Sequence, residues 1–448
     1  MDGLMRVIKQ QVKNVQLNPP LFIAFGFLFL ILLGGLLLKL PIATTMPVSW
    51  IDALFTSASA VTVTGLWVVD TGTAYTLFGE VVILALIQIG GLGFMTFSIL
   101  IFMIFGKKIG LKQRILIQEQ LQTSLGGIIR LVKRLVIFAL TIESVGVILL
   151  SVRWVPEMGL WKGIYYSLFH IVSSFNNAGF ALWPDSLSDY VGDPVVNIVI
   201  TLMFVLGGLG FTVINDLGSK KTFRLLTLHT KLMVIGTITV NMVAIVTFYL
   251  LEINNPETLG KLSDSEQLWA AYFQGISPRT AGFNTVPIGE LEDPTLMFVA
   301  MLMFIGAGSV STAGGIKLTT FIIILFAVGT YLKHKSQSPV LFNRNIKVGV
   351  VYRAQAIVVT SLSFIFLALF TLTITENKPF IDLLFEVMSA FGTVGLSTGI
   401  TTSLSTIGKM IIMCMMYVGL VGPLSVVLSL ARREEQKIRH PEEDVLTG

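Results

Sequence analysis

The sequence predicts an all-α integral membrane protein whose chain crosses the bilayer eight times. Three observations predict it. The 448 residues are 54% hydrophobic against 13% charged, and the mean hydropathy is +0.81, so too little polar surface exists to coat soluble domains of that total size. Apolar stretches of bilayer-spanning length recur along the chain. A short string recurs four times in register, each time between two such stretches.

The predicted spans have apolar cores at residues 21–38, 81–105, 135–150, 195–214, 232–251, 296–332, 356–375 and 410–431. A span needs about 20 residues, and most of these qualify. The third contains Glu143, and the sixth is long and interrupted by a glycine-rich stretch. The first follows Arg6, Lys9 and Lys13 like a signal peptide. Its apolar run is too long for one and no small-residue cleavage site follows, so it reads as an uncleaved anchor.

Charge sets the orientation. With the N-terminus inside, most of the 31 Lys and Arg fall in the tails and the loops after even-numbered spans, among them Lys107, Lys108, Lys112, Arg114, Lys220, Lys221, Arg224, Lys333, Lys335, Arg344 and Lys347. This is a strong positive-inside bias. It predicts a multi-pass cell-membrane protein with both termini cytoplasmic, and it accounts for the net charge of +5 without nucleic acid. Most acidic residues fall outside, including Asp70, Glu80, Asp185, Asp189, Glu290, Glu292 and Asp293. They either concentrate cations at an outer mouth or reflect the tolerance of translocated loops for acid.

The repeated strings are Leu54-Phe-Thr-Ser-Ala-Ser-Ala-Val-Thr-Val-Thr-Gly65-Leu, Leu168-Phe-His-Ile-Val-Ser-Ser-Phe-Asn-Asn-Ala-Gly179-Phe, Tyr272-Phe-Gln-Gly-Ile-Ser-Pro-Arg-Thr-Ala-Gly282-Phe and Leu384-Phe-Glu-Val-Met-Ser-Ala-Phe-Gly-Thr-Val-Gly395-Leu. Each opens a short helix, passes a serine (Ser59, Ser173, Ser277, Ser389) and ends on a glycine and a large apolar residue; the third copy is one residue shorter. The glycines recur at intervals of 114, 103 and 113 residues. A second glycine cluster follows in the next span each time: Gly90-Gly-Leu-Gly-Phe94, Gly207-Gly-Leu-Gly-Phe211, Gly306-Ala-Gly308 and Gly419-Leu-Val-Gly422. The chain therefore divides into repeats at 1–110, 111–220, 221–335 and 336–432, with a cytoplasmic tail at 433–448.

A helix of about ten residues cannot cross a bilayer, so the chain must return through extended backbone. Irregular backbone at that depth survives only where it is buried in protein or lines a cavity. Four such returns around one axis make each repeat a span–pore helix–filter–span unit about a central pore. Rings of carbonyls replace a cation's hydration shell, and the C-terminal ends of the short helices add negative potential. The candidate filter residues are Val63, Thr64, Gly65; Asn177, Ala178, Gly179; Thr280, Ala281, Gly282; and Thr393, Val394, Gly395. Successive carbonyls aim at one axis only if the backbone alternates with left-handed conformations, which glycine adopts freely. Leu66, Phe180, Phe283 and Leu396 are expected to pack behind the strands. K+ at the filter carbonyls is the metal expected there.

The sixth span holds Gly306, Gly308, Ser309, Ser311, Thr312, Gly314 and Gly315 within ten residues, followed by Lys317. Each glycine costs about 1 kcal/mol against alanine inside a helix, and Ser and Thr compete for backbone groups. The span should unwind there and act as a gate on the cytoplasmic side of the filter. Lys317 either holds this loop through its carbonyls or pairs with a carboxylate or snorkels. Arg279 either trims the pore field or orients an outer loop through acidic partners. Glu143 reads as a buried hydrogen-bonded group, with a proton relay as the alternative. Arg432 and Arg433 mark the interface. Asn176 and Asn177 are placed to donate their amides to the pore helix.

These residues resemble the superfamily of Trk, Ktr and HKT potassium transporters over nearly the whole chain. The four glycine-centred strings and the Gly/Ser/Thr-rich break before Lys317 carry the resemblance. Length and short tails look most like the membrane subunit of bacterial Ktr systems. The resemblance implies a potassium-translocating homodimer with one pore per protomer, gated by a cytosolic ring of KtrA-type subunits that bind ATP or ADP. It also implies Na+ as a possible stimulator and no covalently bound cofactor. Glycine at all four filter positions favours potassium.

Two other function classes were weighed. Inverted repeats would suggest a Na+- or H+-coupled secondary transporter, but these repeats run parallel. An enzyme is disfavoured: Cys414 is the sole cysteine and His170, His229, His334 and His440 show no metal spacing, and no G-x-x-x-x-G-K-[ST] string occurs.

Overall fold

The computed structural model describes residues 19–93, 128–220, 222–309, 311–333 and 339–430. Arg6, Lys9, Lys13, the basic group at 107–114, Lys221, Lys335, the expected end of the second span at 94–105 and the tail with Arg432 and Arg433 lie outside the described residues.

One order of elements recurs four times. A helix of spanning character comes first: α1 (Pro19–Leu38), then, in the later quarters, α4 (Ile128–Met158), α8 (Leu228–Glu252) and α12 (Val348–Thr375). A short helix follows each: α2 (Trp50–Val61), α5 (Leu160–Phe175), α9 (Asp264–Ile276) and α13 (Phe380–Gly392). Their ends toward the axis are buried, from Phe55 to Val61 in α2 and from Phe169 to Phe175 in α5. Polar residues cap the outer starts of α2 and α9. Ser49 accepts from Asp52 N at 3.2 Å, and Ser263 and Glu266 form a reciprocal capping box on α9. The bonds from the Ser263 N–H and hydroxyl hold the Glu266 carboxyl below its usual range.

The second long element departs from the expected continuous span in the second and fourth quarters. α3 (Leu77–Leu92) stops at Gly93 with φ +85°. α6 (Pro194–Leu209) meets α7 (Phe211–Ser219) at Gly210, and the two are bent by 94°. α14 (Thr406–Val421) meets α15 (Pro423–Leu430) at Gly422, φ +91°. The expected uninterrupted spans 195–214 and 410–431 are therefore corrected to broken ones. Gly93, Gly210 and Gly422, the last glycines of the first, second and fourth clusters, take a positive φ that interrupts the i→i−4 ladder, and Pro423 cannot supply an N–H to restore it. In the third quarter α10 (Asp293–Phe304) and α11 (Leu318–Leu332) are separated by an irregular segment, where the sequence places the break. A hairpin of β1 (Val340–Leu341) and β2 (Arg344–Asn345) precedes α12.

Among the described residues, Lys133–Met158, Leu228–Glu252 and Val348–Thr375 are long and apolar enough to cross a membrane singly, and the bent α6–α7 pair qualifies together. Their outer faces carry exposed apolar side chains such as Ile148, Val152, Leu250 and Phe366, as a lipid-facing helix requires. The quarters close on themselves. Each second element packs on the next short helix: α3 on α5, α6 on α9, α10 on α13, and α14 back on α2. Lys409, in α14, bonds Asp52, in α2, at 2.7 Å across this last junction.

Candidate functional site

Each short helix ends in the same backbone lock. The serine carbonyl accepts the N–H of the residue before the key glycine: Thr64 N to Ser59 O at 2.8 Å, Ala178 N to Ser173 O at 2.8 Å, Ala281 N to Ser277 O at 3.0 Å and Val394 N to Ser389 O at 2.9 Å. The serine hydroxyl adds a second tie in two copies, accepting Gly65 N at 3.0 Å from Ser59 and Gly395 N at 3.1 Å from Ser389. In the third copy, one residue shorter, Ser277 instead donates its hydroxyl proton to Phe283 O. The serine was legible in the repeat, but its work as a lock was not.

The strands that follow share one backbone pattern. Gly65, Gly179, Gly282 and Gly395 have φ of +89°, +67°, +75° and +97°. The residue two before each is also left-handed: Val63 at +48°, Asn177 at +58°, Thr280 at +78° and Thr393 at +49°. A left-handed conformation in a β-branched residue is an outlier that costs on the order of 1–3 kcal/mol and persists only where the surroundings over-determine it. Sequence reasoning assigned the left-handed role to glycine alone; only Asn177 is a residue type that signals it.

The four strands meet. A Cβ added to Gly65 would lie 2.4 Å from Ala178 O; on Gly179, 3.0 Å from Gly282 Cα; on Gly282, 2.1 Å from Val394 O; on Gly395, 2.2 Å from Thr64 O. Each glycine thus abuts the next strand, and the fourth returns to the first, closing a ring. The apolar residue after each glycine completes the interlock. Leu66 is buried with Phe391, Ile412 and Met416 of the fourth quarter. Phe180 lies in the core of the first, Phe283 in that of the second and Leu396 in that of the third. Every quarter inserts one side chain into the quarter before it.

The first glycine of three clusters serves close approach. A Cβ on Gly90, Gly207 or Gly419 would fall 2.1, 1.8 or 2.1 Å from Val61 O, Phe175 O or Phe391 O, the terminal carbonyls of the short helices. In the third quarter Gly306 instead faces Gly314 O, 2.3 Å from where its Cβ would stand.

A cavity of about 450 Å³ opens on one side of the ring, lined by all four key glycines together with Asp70 and Asp185. Glu80 does not line it and accepts from the Tyr165 hydroxyl. On the other side a cavity of about 320 Å³ is lined by Gly90, Gly207, Ser311, Thr312 and Lys317. The irregular segment between α10 and α11 lines this second cavity and bonds two of the ring strands. Thr312 donates to Asn177 Oδ1 at 3.1 Å, and Gly314 N to Thr393 Oγ1 at 2.9 Å. Gly308 N donates to Gly208 O at 2.8 Å and Gly315 N to Gly419 O at 3.3 Å. Lys317 donates its ammonium to Ala313 O within the loop itself, the first of the two arrangements considered for it. Ser311 Oγ donates to Gly308 O at 2.6 Å. Ser309 lines the second cavity beside Ser311.

Arg279 is corrected. It is buried, and it bonds Asn241 Oδ1 at 2.8 Å and Thr237 O at 3.5 Å, with no acidic partner among the described residues. It turns toward α8 and away from any outer loop. Glu143 is buried in a polar knot. Gln88 Nε2 reaches it at 3.0 Å, and Asn176 Nδ2 donates to Gln88 Oε1 at 2.8 Å. Asn176 also donates to Val172 O of its short helix at 2.9 Å, as expected. Asn177 does not, and gives its amide to Thr280 Oγ1 at 3.0 Å.

Apolar helices surround a closed ring of four glycine-centred strands, and the class of protein follows from the comparisons with known families. The chain belongs to the TrkH family, described as "Cation transport protein", whose profile matches residues 29–440; it is a transport protein and not an enzyme. It is 55% identical to the Ktr system potassium uptake protein B of Bacillus subtilis (strain 168), covering 98% of each chain. It is 45% identical to the protein of the same name from Vibrio alginolyticus, over 96% of this chain and 95% of that one. It is 39% identical to the potassium/sodium uptake protein NtpJ of Enterococcus hirae, over 99% and 100%. The crystal structure of the potassium transporter TrkH from Vibrio parahaemolyticus shares the fold, with a TM-score of 0.74 at 17% identity over 93% of this chain and 86% of that one.

Proposed function

We propose that this chain is the potassium-translocating membrane subunit of a Ktr-type uptake system. It conducts K+ in a channel-like manner through a filter built by Val63–Gly65, Asn177–Gly179, Thr280–Gly282 and Thr393–Gly395, one strand from each of four parallel repeats with eight spans in all. The closed contact from Gly65 through Gly179 and Gly282 to Gly395 and back is the observation that supports this most. Four strands that alternate left-handed and ordinary residues present their carbonyls to a common axis, where they replace water around a monovalent cation. The segment 306–317 is the gate, lying across the path and tied to two filter strands. The names of the relatives support potassium as cargo, and the NtpJ name supports a role for sodium, as stimulator or second ion. The Ktr name supports further components; a homodimer docked on a cytosolic KtrA-type ring that binds ATP or ADP is the assembly proposed. The protein sits in the cell membrane with both termini in the cytoplasm.

The test is uptake by a potassium-uptake-deficient bacterium carrying this gene, with and without a cytosolic partner. Gly65→Ser, Gly179→Ser, Gly282→Ser and Gly395→Ser should each raise the KM for K+ by about tenfold, the equivalent of ~1.4 kcal/mol, and lower the preference for K+ over Na+. Unchanged kinetics in all four variants overturn the filter. Flux that demands a fixed stoichiometry of Na+ or H+ overturns the channel-like reading in favour of coupled transport.

A further inference from the structure

The third residue of each repeated string is polar in all four copies: Thr56, His170, Gln274 and Glu386, each three residues before the serine lock. All four are buried, with at most 1% of their surface exposed. Their chemistry differs from copy to copy, yet each accepts a hydrogen bond from chain that has already passed the key glycine. Tyr75 donates its hydroxyl to Thr56 Oγ1 at 3.1 Å. Leu182 N donates to His170 Nε2 at 3.3 Å. His170 Nδ1 lies 2.8 Å from Tyr166 O; a carbonyl can only accept, so Nδ1 carries the proton and Nε2 is left as an acceptor. Thr285 N donates to Gln274 Oε1 at 3.4 Å. Ser397 donates its hydroxyl to Glu386 Oε1, and Thr401 Oγ1 does the same at 2.8 Å. Leu182 and Thr285 stand three residues beyond their glycines and Ser397 two.

We propose that Thr56, His170, Gln274 and Glu386 form a second, outer ring of positioning residues that fixes each strand as it leaves the filter and so sets the cation preference. The proposal rests on the filter reading above. The serine lock holds the inner part of each strand by its own helix end. Beyond the glycine, the buried acceptor ties the departing chain to the same helix in the second, third and fourth copies, joined in the third by the Ser277 bond to Phe283 O, and in the first it holds the chain ten residues on, at Tyr75. A carbonyl ring discriminates cations by its size and by the number and field of its oxygens, so a strand free to shift at its outer end loses discrimination before it loses conduction. The four ties are unequal. That of Gln274 is long, and its Nε2 has no partner among the described residues. That of Glu386 has two hydroxyl donors, both on Oε1, while its Oε2 has no partner among the described residues. Ser397 and Thr401 also line the outer cavity, so this tie connects the cavity wall directly to a short helix.

Glu386→Leu and Glu386→Gln separate positioning from charge. The glutamine keeps an acceptor for Ser397 and Thr401. Glu386→Leu should raise the KM for K+ about fivefold and lower the K+ over Na+ preference, with maximal uptake reduced much less; loss of a hydrogen bond of this kind is worth about that factor. Glu386→Gln should restore both to near the parent values. The double variant Ser397→Ala and Thr401→Val removes the donors from the cavity side, where both can be changed without emptying the core, and should reproduce the leucine phenotype. His170→Leu against His170→Gln should follow the same pattern with a smaller amplitude. Unchanged KM and selectivity in Glu386→Leu and in the double variant, at parental membrane levels, overturn the proposal. So does failure of Glu386→Gln to restore selectivity, because charge and not the tie would then be what matters. If Gly395→Ser alters selectivity while these variants do not, the outer ring fails and the filter stands; if Gly395→Ser is also silent, the filter itself fails.

Discussion

The glycine ring and the loop beneath it are both irregular backbone inside an apolar bundle, but they are held in different ways. Each ring strand is locked first to its own helix, through the serine carbonyl, and then to a neighbour, through the side chain after the glycine. The loop at 305–317 is also held by other quarters: Asn177 and Gly208 of the second, Thr393 and Gly419 of the fourth. These four bonds add to its internal ties, Lys317 to Ala313, Ser311 to Gly308, Ala313 N to Ser311 Oγ and a parallel bridge between Ile305 and Ile316. A structure tied to itself keeps its shape when its surroundings move. One tied to several neighbours shifts when any of them shifts, as a gate must. On the proposed reading the ring is the rigid part and the loop the part that responds to its neighbours.

The largest expected effect comes from breaking the ring's interlock. Phe283 is fully buried in the core of the second quarter. Phe283→Ala leaves a cavity there and should cost about 3–5 kcal/mol, read as a loss of purified protein that survives heating in detergent, with K+ uptake lost in parallel. A Phe283→Ala protein as heat-resistant as the parent would mean that the quarters are held together by something other than these inserted side chains.

Removing the loop should do the reverse of removing the ring. A deletion within residues 308–314 takes away the bonds to Asn177 and Thr393 and part of the lining of the second cavity. K+ flux should rise by about tenfold at unchanged protein level, the equivalent of ~1.4 kcal/mol, and dependence on a cytosolic partner should weaken. If the deletion variant is folded, inserted and inactive, the loop is not a gate.

How much of this contrast the sequence carried depends on which residues spoke. The four glycines, the serines and the break before Lys317 were legible because each breaks a local rule: glycine costs helix stability, and four copies in register exclude accident. The breaks at Gly210 and Gly422 were present in the same clusters but were masked by the strong hydropathy around them, which argues for a continuous span regardless of backbone shape; Pro423 beside Gly422 was the available signal. The left-handed Val63, Thr280 and Thr393 left no trace, since β-branched residues avoid that conformation and only the tertiary ring imposes it. Arg279 misled because an arginine at membrane depth suggests an acidic partner, whereas here a carbonyl and an amide oxygen take that place.

The smallest expected effect lies inside the serine locks, and it tests whether the ring's self-attachment is real. Ser389 Oγ accepts Gly395 N, so Ser389→Ala leaves a buried N–H unpaired and should cost about 1 kcal/mol. Ser173 occupies the same place in the second copy, yet its hydroxyl is buried without a partner among the described residues. Ser173→Ala should therefore be neutral or slightly stabilising, since it removes a polar group that burial penalises. Thermal survival of the two purified variants decides the matter. Equal losses at both positions would mean that the hydroxyls contribute through packing, and that the locks consist of the serine carbonyls alone.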